Sequence, residues 1–229
     1  MALGPHLDAW SKLRQNLLVG PMKIFGVGLN KTGTTTLDEC GKKLGYRVKG
    51  CDRGLLSDFR AGDLQRFEDV ISSYDLFQDW PWPLMYKYLD HAYPGSKFIL
   101  TTRITDIVWL ESLKKHSMRT GLRHCRLMAY GYEYPHQNES SFLDQYNSHN
   151  KEVREYFSGR SSDFLEICWE KGDGWDKLCS FLGKEAPCAS IPHANKAPSE
   201  NLPSQLLKRI KINEARLSQL TCQSKSAHY

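Results

Sequence analysis

The residues best suited to chemistry in this sequence lie in one short turn, rich in glycine and threonine, between Gly28 and Leu37. The turn follows an apolar stretch and opens into a helical pattern, so backbone N–H groups and the positive end of a helix dipole should converge there. Glycine lets the backbone approach an anion closely, and threonine hydroxyls add donors. The turn therefore predicts an anion cradle formed by Asn30, Lys31, Thr32, Gly33, Thr34, Thr35 and Thr36.

The cradle differs in residue order from the phosphate loop of ATP-binding proteins, which reads Gly-x-x-x-x-Gly-Lys-Ser/Thr. Gly28 and Gly33 have this spacing, but Thr34 stands where the lysine should be. The lysine is instead Lys31, two residues before the second glycine. This displacement counts against nucleoside triphosphatase chemistry. A purely structural alternative is that the lysine and the threonines cap a surface helix.

The segment Lys31-Thr-Gly-Thr-Thr35 resembles the phosphosulfate loop of the sulfotransferase superfamily, whose core reads Lys-Ser/Thr-Gly-Thr-Thr/Ser. The longer run from Gly28 to Leu37 is similar to small bacterial-type members rather than to the animal cytosolic branch. The resemblance implies 3′-phosphoadenosine 5′-phosphosulfate (PAPS) as the donor, no metal, and a contact of Lys31 with the oxygen that bridges phosphate and sulfate. A fixed ammonium at this point would stabilise the negative charge that develops on the leaving phosphate.

The same resemblance implies a site for the 3′-phosphate of the donor at Arg103 and Ser112. Arg103 stands at the end of an apolar segment, Lys97–Arg103, that predicts a strand, and Ser112 comes about two helical turns later. A guanidinium fork and a hydroxyl suit a terminal phosphate. The interval between the two residues is nine rather than the usual eight, which indicates one extra residue in the loop. The alternative is that Arg103 is a surface ion-pair partner.

Asp79 is the predicted general base, because the acceptor must lose a proton as it attacks sulfur. In cytosolic sulfotransferases a histidine stands at the similar place, two residues before a proline, and here Asp79 stands two residues before Pro81. Asp79 could also cap the following helix or bind magnesium. Three histidines compete for the role of base: His116, His136 and His149.

Aromatic and polar side chains near the predicted base and in residues 120–157 could shape an acceptor pocket. The candidates are Trp80, Trp82, Tyr132 and His136. The two tryptophans could instead be core residues. Such a pocket suits a small natural product, a sugar or an amine equally, so the sequence indicates a small-molecule acceptor without identifying it.

The elements that must position these residues alternate between strands and helices. Apolar stretches predict strands at Met22–Gly28, Tyr46–Lys49, Tyr74–Asp79, Lys97–Arg103 and Phe164–Trp169. Helical patterns cover Thr36–Leu44, Leu84–Tyr93, Ile107–Lys115, Asn150–Phe157, Trp175–Leu182 and Ser204–Leu220. The alternation predicts an α/β, P-loop-like three-layer fold in which helices flank a central, mostly parallel sheet, with ligands at the carboxyl ends of the strands.

One sulfotransferase-like domain is expected over residues 22–200. A lead-in of residues 1–21 precedes it, and a C-terminal helix and tail at 201–229 follow. Residues 120–157 interrupt the alternation and are predicted to form a helical excursion over the acceptor site. The resemblance itself covers residues 22–196.

The composition is that of an ordinary globular protein, with 40% hydrophobic and 25% charged residues. A net charge of +5 fits an anionic donor, and no broad basic face suggests a nucleic-acid polymer. Seven cysteines without a Cys-x-x-Cys pair predict reduced thiols, no metal site and a cytoplasmic location. No apolar segment has the length of a membrane span, and the N-terminus lacks the pattern of a signal peptide, so no membrane partner is expected.

Two other functions stay open at this point. One is a P-loop kinase or another nucleotide-dependent phosphotransferase acting on a small molecule, and the other is a non-catalytic nucleotide-binding module. The displaced Lys31 and the presence of Arg103 favour sulfuryl transfer over a kinase. The presence of both Lys31 and Asp79 argues against a non-catalytic module.

Overall fold

A parallel five-stranded sheet forms the centre of the fold. The protein is described by a computed structural model over residues 22–121, 124–192 and 204–226. The strands follow the order β2-β3-β1-β4-β5, and every neighbouring pair is parallel. Their bounds are β1 Ile24–Gly26, β2 Val48–Lys49, β3 Leu76–Phe77, β4 Lys97–Thr101 and β5 Phe164–Ile167. This sheet, with helices on both faces, confirms the predicted P-loop-like α/β class.

Helices connect and cover the strands. Those in the described residues are α1 (Thr34–Lys43), α2 (Arg53–Ala61), α3 (Gln65–Ser73), α4 (Tyr86–Ala92), α5 (Asp106–Thr120), α6 (His124–Tyr130), α7 (Glu139–Tyr156), α8 (Trp175–Leu182) and α9 (Ser204–Ser226). Short 3₁₀ turns follow β3 and β5, at Trp82–Leu84 and Trp169–Lys171.

The predicted elements are all present, but their bounds differ and two helices were missed. The predicted third strand reached Asp79, whereas β3 ends earlier because Asp79 adopts a left-handed backbone with φ of 65°. The missed helices are α2 and α3. The start and end signals of α2 were nevertheless present: the Asp52 carboxylate accepts the Leu55 N–H at 3.0 Å, and Gly62 ends the helix with φ of 77°.

Two compact units divide the chain. The first comprises Met1–Ile104 and Ser148–Ala194 and contains the sheet, and the second comprises Thr105–Asn147 and Asn195–Tyr229. Helix α7 supplies residues to both units. The predicted lead-in, residues 1–21, lies outside the described residues.

Side chains of the first unit alternate between the two faces of the sheet, so each face has its own core. Phe25 and Phe77 enter the core that packs against α2, α3, α4 and α7, and their rings stack with 5.0 Å between centroids. Ile24 and Leu76 enter the core that packs against α1 and α8. Because β1 is buried on both faces, the turn that follows it starts from a rigid support.

The described part of the second unit is helical. The rings of Trp109 and Tyr146 stack with 4.4 Å between centroids and join α5 to α7. Asn213 of α9 is buried, and its side-chain amide donates to the Met118 carbonyl at 2.5 Å. Residues 120–157 thus contain the helices α6 and α7. That this segment covers an acceptor site stays a prediction.

Two further observations concern the protein as a whole. No helix of the described segments combines the length and the apolar character that crossing a bilayer requires. Among the cysteines that the structure describes, Cys40, Cys125, Cys168, Cys179 and Cys188 are free thiols. Burial raises the pKa of the Cys40 thiol to about 12, which makes this thiol unreactive.

Candidate active site

Three chain segments of the first unit leave the sheet at its carboxyl edge and carry the predicted chemistry. The turn with Lys31 follows β1, Asp79 follows β3, and Arg103 follows β4. β1 lies between β3 and β4, so the strand order reverses beside it. Ligands of open α/β sheets bind outside the carboxyl ends of the strands at such a reversal. The structure therefore places these three residues where a ligand site is expected.

The turn after β1 is held against β4 by a buried threonine and a glycine. Thr32 is fully buried, and its hydroxyl donates to the Leu29 carbonyl at 2.6 Å and lies 2.6 Å from the Thr101 hydroxyl. A Cβ atom at Gly28 would lie 2.2 Å from Thr101 Oγ1 and 2.4 Å from Thr101 O. Only glycine permits this close approach of the backbone.

Replacing Gly28 by alanine should therefore lower the free energy of unfolding by more than about 2 kcal/mol, because the added methyl group would meet backbone atoms of a central strand. Urea unfolding measures the change. Gly174→Ala is the matched control, since a Cβ there would lie 3.7 Å from Ile191 Cγ1, an ordinary contact. That variant should change the free energy by less than about 1 kcal/mol. Equal effects in the two variants would contradict the close approach.

Two left-handed residues bend the turn into α1. The φ angles are 70° at Lys31 and 97° at Gly33. Gly33 is the N-cap residue, and α1 begins without a side-chain cap hydrogen bond. A helix start of this kind can receive an anion on its backbone N–H groups. The neighbouring residues of the cradle are buried Thr34 and Thr36, exposed Thr35 and half-buried Asn30.

Trp169 closes one side of the turn. Its indole N–H donates to the Gly33 carbonyl at 3.2 Å. A Cβ atom at Gly33 would lie only 2.3 Å from Trp169 Cδ1. Glycine at this position therefore meets two needs, a left-handed backbone and room for the indole ring. Sequence reasoning gave Trp169 no role, because nothing local relates it to a turn so far away along the chain.

The carboxyl group of Asp79 belongs to a half-buried residue just after β3, and the charge of Lys31 acts on it. Its Oδ1 accepts the backbone N–H of Trp80 at 2.8 Å. Burial raises the pKa of Asp79 above its ordinary value, while the hydrogen bond from Trp80 and the ammonium of Lys31 oppose that rise. A carboxylate with a raised pKa is a stronger base than an exposed one.

The structure also bears on the other roles considered for Asp79. The 3₁₀ turn after β3 has Pro81 as its N-cap residue and no side-chain cap hydrogen bond. The Asp79 side chain therefore bonds to the adjacent backbone rather than to a helix start. Within the described ranges, no three side chains of histidine, cysteine, aspartate or glutamate come together as a metal-binding group.

Arg103 is held between Glu170 and the turn. Its Nε and Nη2 donate to the Glu170 carboxylate at 3.0 and 2.6 Å, and its Nη1 donates to the Lys31 carbonyl at 3.3 Å. Arg103 thus makes the ion pair that was considered as an alternative role. The same geometry turns another edge of the guanidinium toward the cradle.

The tryptophans next to Asp79 are buried. Trp80 is 2% exposed and Trp82 is fully buried. The Trp82 ring lies 4.7 Å from Phe77 and 5.9 Å from Phe67 between centroids. This placement favours packing over acceptor binding for both tryptophans, as the alternative reading proposed.

The remaining predicted site residues belong to the second unit. Ser112 is half-buried on α5, and Tyr132 is 39% exposed. The His136 Nδ1 atom is buried without a hydrogen-bond partner among the described residues, and burial lowers the pKa of His136. The roles predicted for them, 3′-phosphate binding by Ser112 and acceptor binding by Tyr132 and His136, stay predictions.

Of the competing histidines, only His149 belongs to the first unit. Its Nε2 lies 2.7 Å from the Val27 carbonyl, just after β1. A carbonyl can only accept, so Nε2 carries a proton and is the donor in this contact. Burial lowers the pKa of His149, so the ring is neutral at physiological pH. Nε2 is therefore not available as a general base.

This chain is similar to known proteins in sequence and in structure. The model of a family described as a sulfotransferase domain matches residues 23–199. Ava biosynthesis cluster protein M of Aspergillus versicolor is 26% identical over 216 residues, which cover 75% of this chain and 80% of that protein. A gluconokinase from Sinorhizobium meliloti 1021 superimposes with a TM-score of 0.38 at 14% identity, covering 89% of this chain and 98% of the other.

Proposed function

The chain belongs to the sulfotransferase family, and from this premise we propose that it moves a sulfuryl group from PAPS to a hydroxyl or an amine of a small-molecule acceptor. The second product is adenosine 3′,5′-bisphosphate (PAP). One observation carries the proposal: Lys31 lies inside the turn between β1 and α1, and Asp79 follows the neighbouring strand β3 at the same edge of the sheet. A cation and a base in one site are what this transfer needs.

The hydrogen-bond donors and the positive charge of the cradle suit the phosphosulfate end of PAPS. Buried Thr34 and Thr36, the uncapped start of α1 and the cation of Lys31 all favour an anion. Gly33 gives the turn its left-handed backbone and leaves room for the Trp169 indole that closes it. Bound PAPS supplies an activated sulfuryl group attached to a phosphate leaving group. Lys31 stabilises the charge that develops on that phosphate.

Asp79 accepts the proton that the acceptor releases. Burial makes its carboxylate a stronger base, and the Lys31 ammonium keeps the ionised form accessible. The left-handed backbone of Asp79 turns the chain sharply at the end of β3. This position brings the base to the same edge of the sheet as the cradle.

The rest of the chain has supporting roles in this proposal. Arg103 and Ser112 bind the 3′-phosphate, and Tyr132 and His136 contact the acceptor. Residues 22–200 form the catalytic domain, and the transfer needs no metal, nucleic-acid or membrane partner. The free thiols of Cys40, Cys168 and Cys179 are buried, which suits a reducing compartment, so we place the protein in the cytoplasm.

A P-loop kinase is the competing function. Such an enzyme cradles its phosphates with a lysine directly after the second glycine of the loop and neutralises charge with magnesium. In this chain Thr34 occupies that position, and the lysine comes three residues earlier.

Calorimetric titrations with PAP and with ATP plus Mg²⁺ separate the two functions. We expect PAP to bind at least about ten-fold more tightly than ATP, a difference of about 1.4 kcal/mol, because only PAP carries the 3′-phosphate. EDTA should leave the binding of PAP unchanged. Tight, Mg²⁺-dependent binding of ATP with weaker binding of PAP would overturn the proposal. A panel of small acceptors with radiolabelled PAPS then identifies the acceptor.

A further inference from the structure

Glu170 makes a contact that the proposed function does not use. Its carboxylate accepts three N–H groups: Arg103 Nη2 at 2.6 Å, Arg103 Nε at 3.0 Å and the backbone N–H of Ile104 at 2.9 Å. The glutamate and arginine side chains are only 34% and 24% exposed. A side-on pair of this kind restrains the guanidinium in both position and plane.

The opposite side of the guanidinium reaches the turn. Arg103 Nη1 donates to the carbonyl of Lys31, the residue whose left-handed φ of 70° directs the turn toward α1. The residue before Glu170 is Trp169, which binds the Gly33 carbonyl. The 3₁₀ turn Trp169–Lys171 therefore supports the cradle at two points, once directly and once through Arg103.

We propose that Glu170 is a positioning residue for donor binding, which orients Arg103 before the 3′-phosphate arrives. This inference rests on the proposed function. Glu170 engages the Nε and Nη2 edge of the guanidinium, so the phosphate can approach from the Nη1 side without displacing it. A side chain that is already ordered loses less conformational freedom on binding, and this gain outweighs the partial neutralisation of the arginine charge.

A double-mutant cycle on PAP binding tests the role of Glu170. Glu170→Ala should weaken PAP binding about ten-fold in the otherwise unchanged protein, the effect of losing one ordered side chain. In the Arg103→Ala background the same substitution should change the Kd less than about two-fold, because Glu170 acts through Arg103. Glu170→Gln keeps one acceptor oxygen and should give an intermediate Kd.

Asp75 supplies the matched control. Its carboxylate accepts the same three kinds of donor from Arg47: Nη2 at 2.8 Å, Nε at 3.0 Å and the backbone N–H at 2.9 Å. Asp75 precedes β3 at the amino edge of the sheet. Asp75→Ala should therefore leave the Kd of PAP within about two-fold, although it removes an equivalent ion pair.

Three results would overturn the inference. Tighter PAP binding by Glu170→Ala would show that the glutamate competes with the phosphate. Equal losses with and without Arg103, or equal losses for Glu170→Ala and Asp75→Ala, would show a general structural effect. These results differ from a failure of the proposed function, in which the unsubstituted protein itself would not bind PAP.

Discussion

Replacing Lys31 by alanine should lower the rate of sulfuryl transfer by about a thousand-fold, with only a small change in stability. The loss is large because the ammonium acts on charge that appears mainly in the transition state, on the departing phosphate oxygen. The backbone of the turn should persist, since the Lys31 carbonyl still accepts Arg103 Nη1 after the substitution. Single-turnover measurements with radiolabelled PAPS give the rate of the chemical step.

Lys43→Ala is the control for this experiment. It removes the same charge from the last turn of α1, where Lys43 is exposed. Its rate should stay within about two-fold of the unsubstituted protein, because an exposed charge far from the reacting atoms has little effect. A Lys31→Ala variant that keeps its rate would show that the turn does not stabilise the leaving group, and the proposed chemistry would then fail.

The second large effect is expected for Asp79→Asn, which should slow turnover by about a hundred-fold to a thousand-fold. Asparagine keeps the oxygen that accepts the Trp80 N–H and tolerates the left-handed backbone at this position. The substitution therefore removes the base without removing the turn. The Kd of PAP should change by less than about three-fold, since Asp79 acts on the acceptor rather than on the donor.

The pH dependence gives a second test of Asp79. Because burial raises the pKa of Asp79, the rate should fall on the acid side with an apparent pKa above the ordinary aspartate range, and Asp79→Asn should remove this acid limb. The free energy of unfolding should change with pH in the opposite direction to the rate: the rate rises as Asp79 ionises, whereas the stability falls. The folded protein binds the proton more tightly than the unfolded chain, so the ionisation of Asp79 lowers stability as the pH rises from the unfolded to the folded pKa.

Asp79→Asn should accordingly be as stable as the unsubstituted protein or more stable at neutral pH, with no such gain below the ordinary aspartate pKa. Urea unfolding at several pH values measures this difference. An unchanged rate and an unchanged acid limb would transfer the base role to a histidine, one of His116, His136 and His149.

Local spacing was sufficient to predict the sheet and the turn between β1 and α1, but it was insufficient to predict the contacts that these elements make. The glycines and threonines of the turn identify a strand-to-helix junction, since left-handed backbone and uncapped helix starts are properties of neighbouring residues. The helices α2 and α3 were missed, although Asp52 and Gly62 mark the ends of α2. Their amphipathic patterns are short, and they lie in a part of the chain without chemical motifs.

The burial of the side chains next to Asp79 favours one of the two roles that the sequence left open for them. Trp80 and Trp82 looked as suitable for an acceptor pocket as for a core, and the structure buries both. Asp79 is adjacent to them and acquires its raised pKa from the same burial. Which of several adjacent side chains enters the core depends on the helices that cover the sheet, and these come from distant parts of the chain.

The sequence by itself determined the parallel α/β plan, the strand-to-helix turn with its displaced lysine, and the family to which the chain belongs. The tertiary structure alone decided that Arg103 pairs with Glu170, that Trp169 covers Gly33, and that desolvation raises the pKa of Asp79. The reason is physical. Backbone conformation depends on adjacent residues, whereas ion pairs and desolvation depend on strands that meet only after the chain has folded.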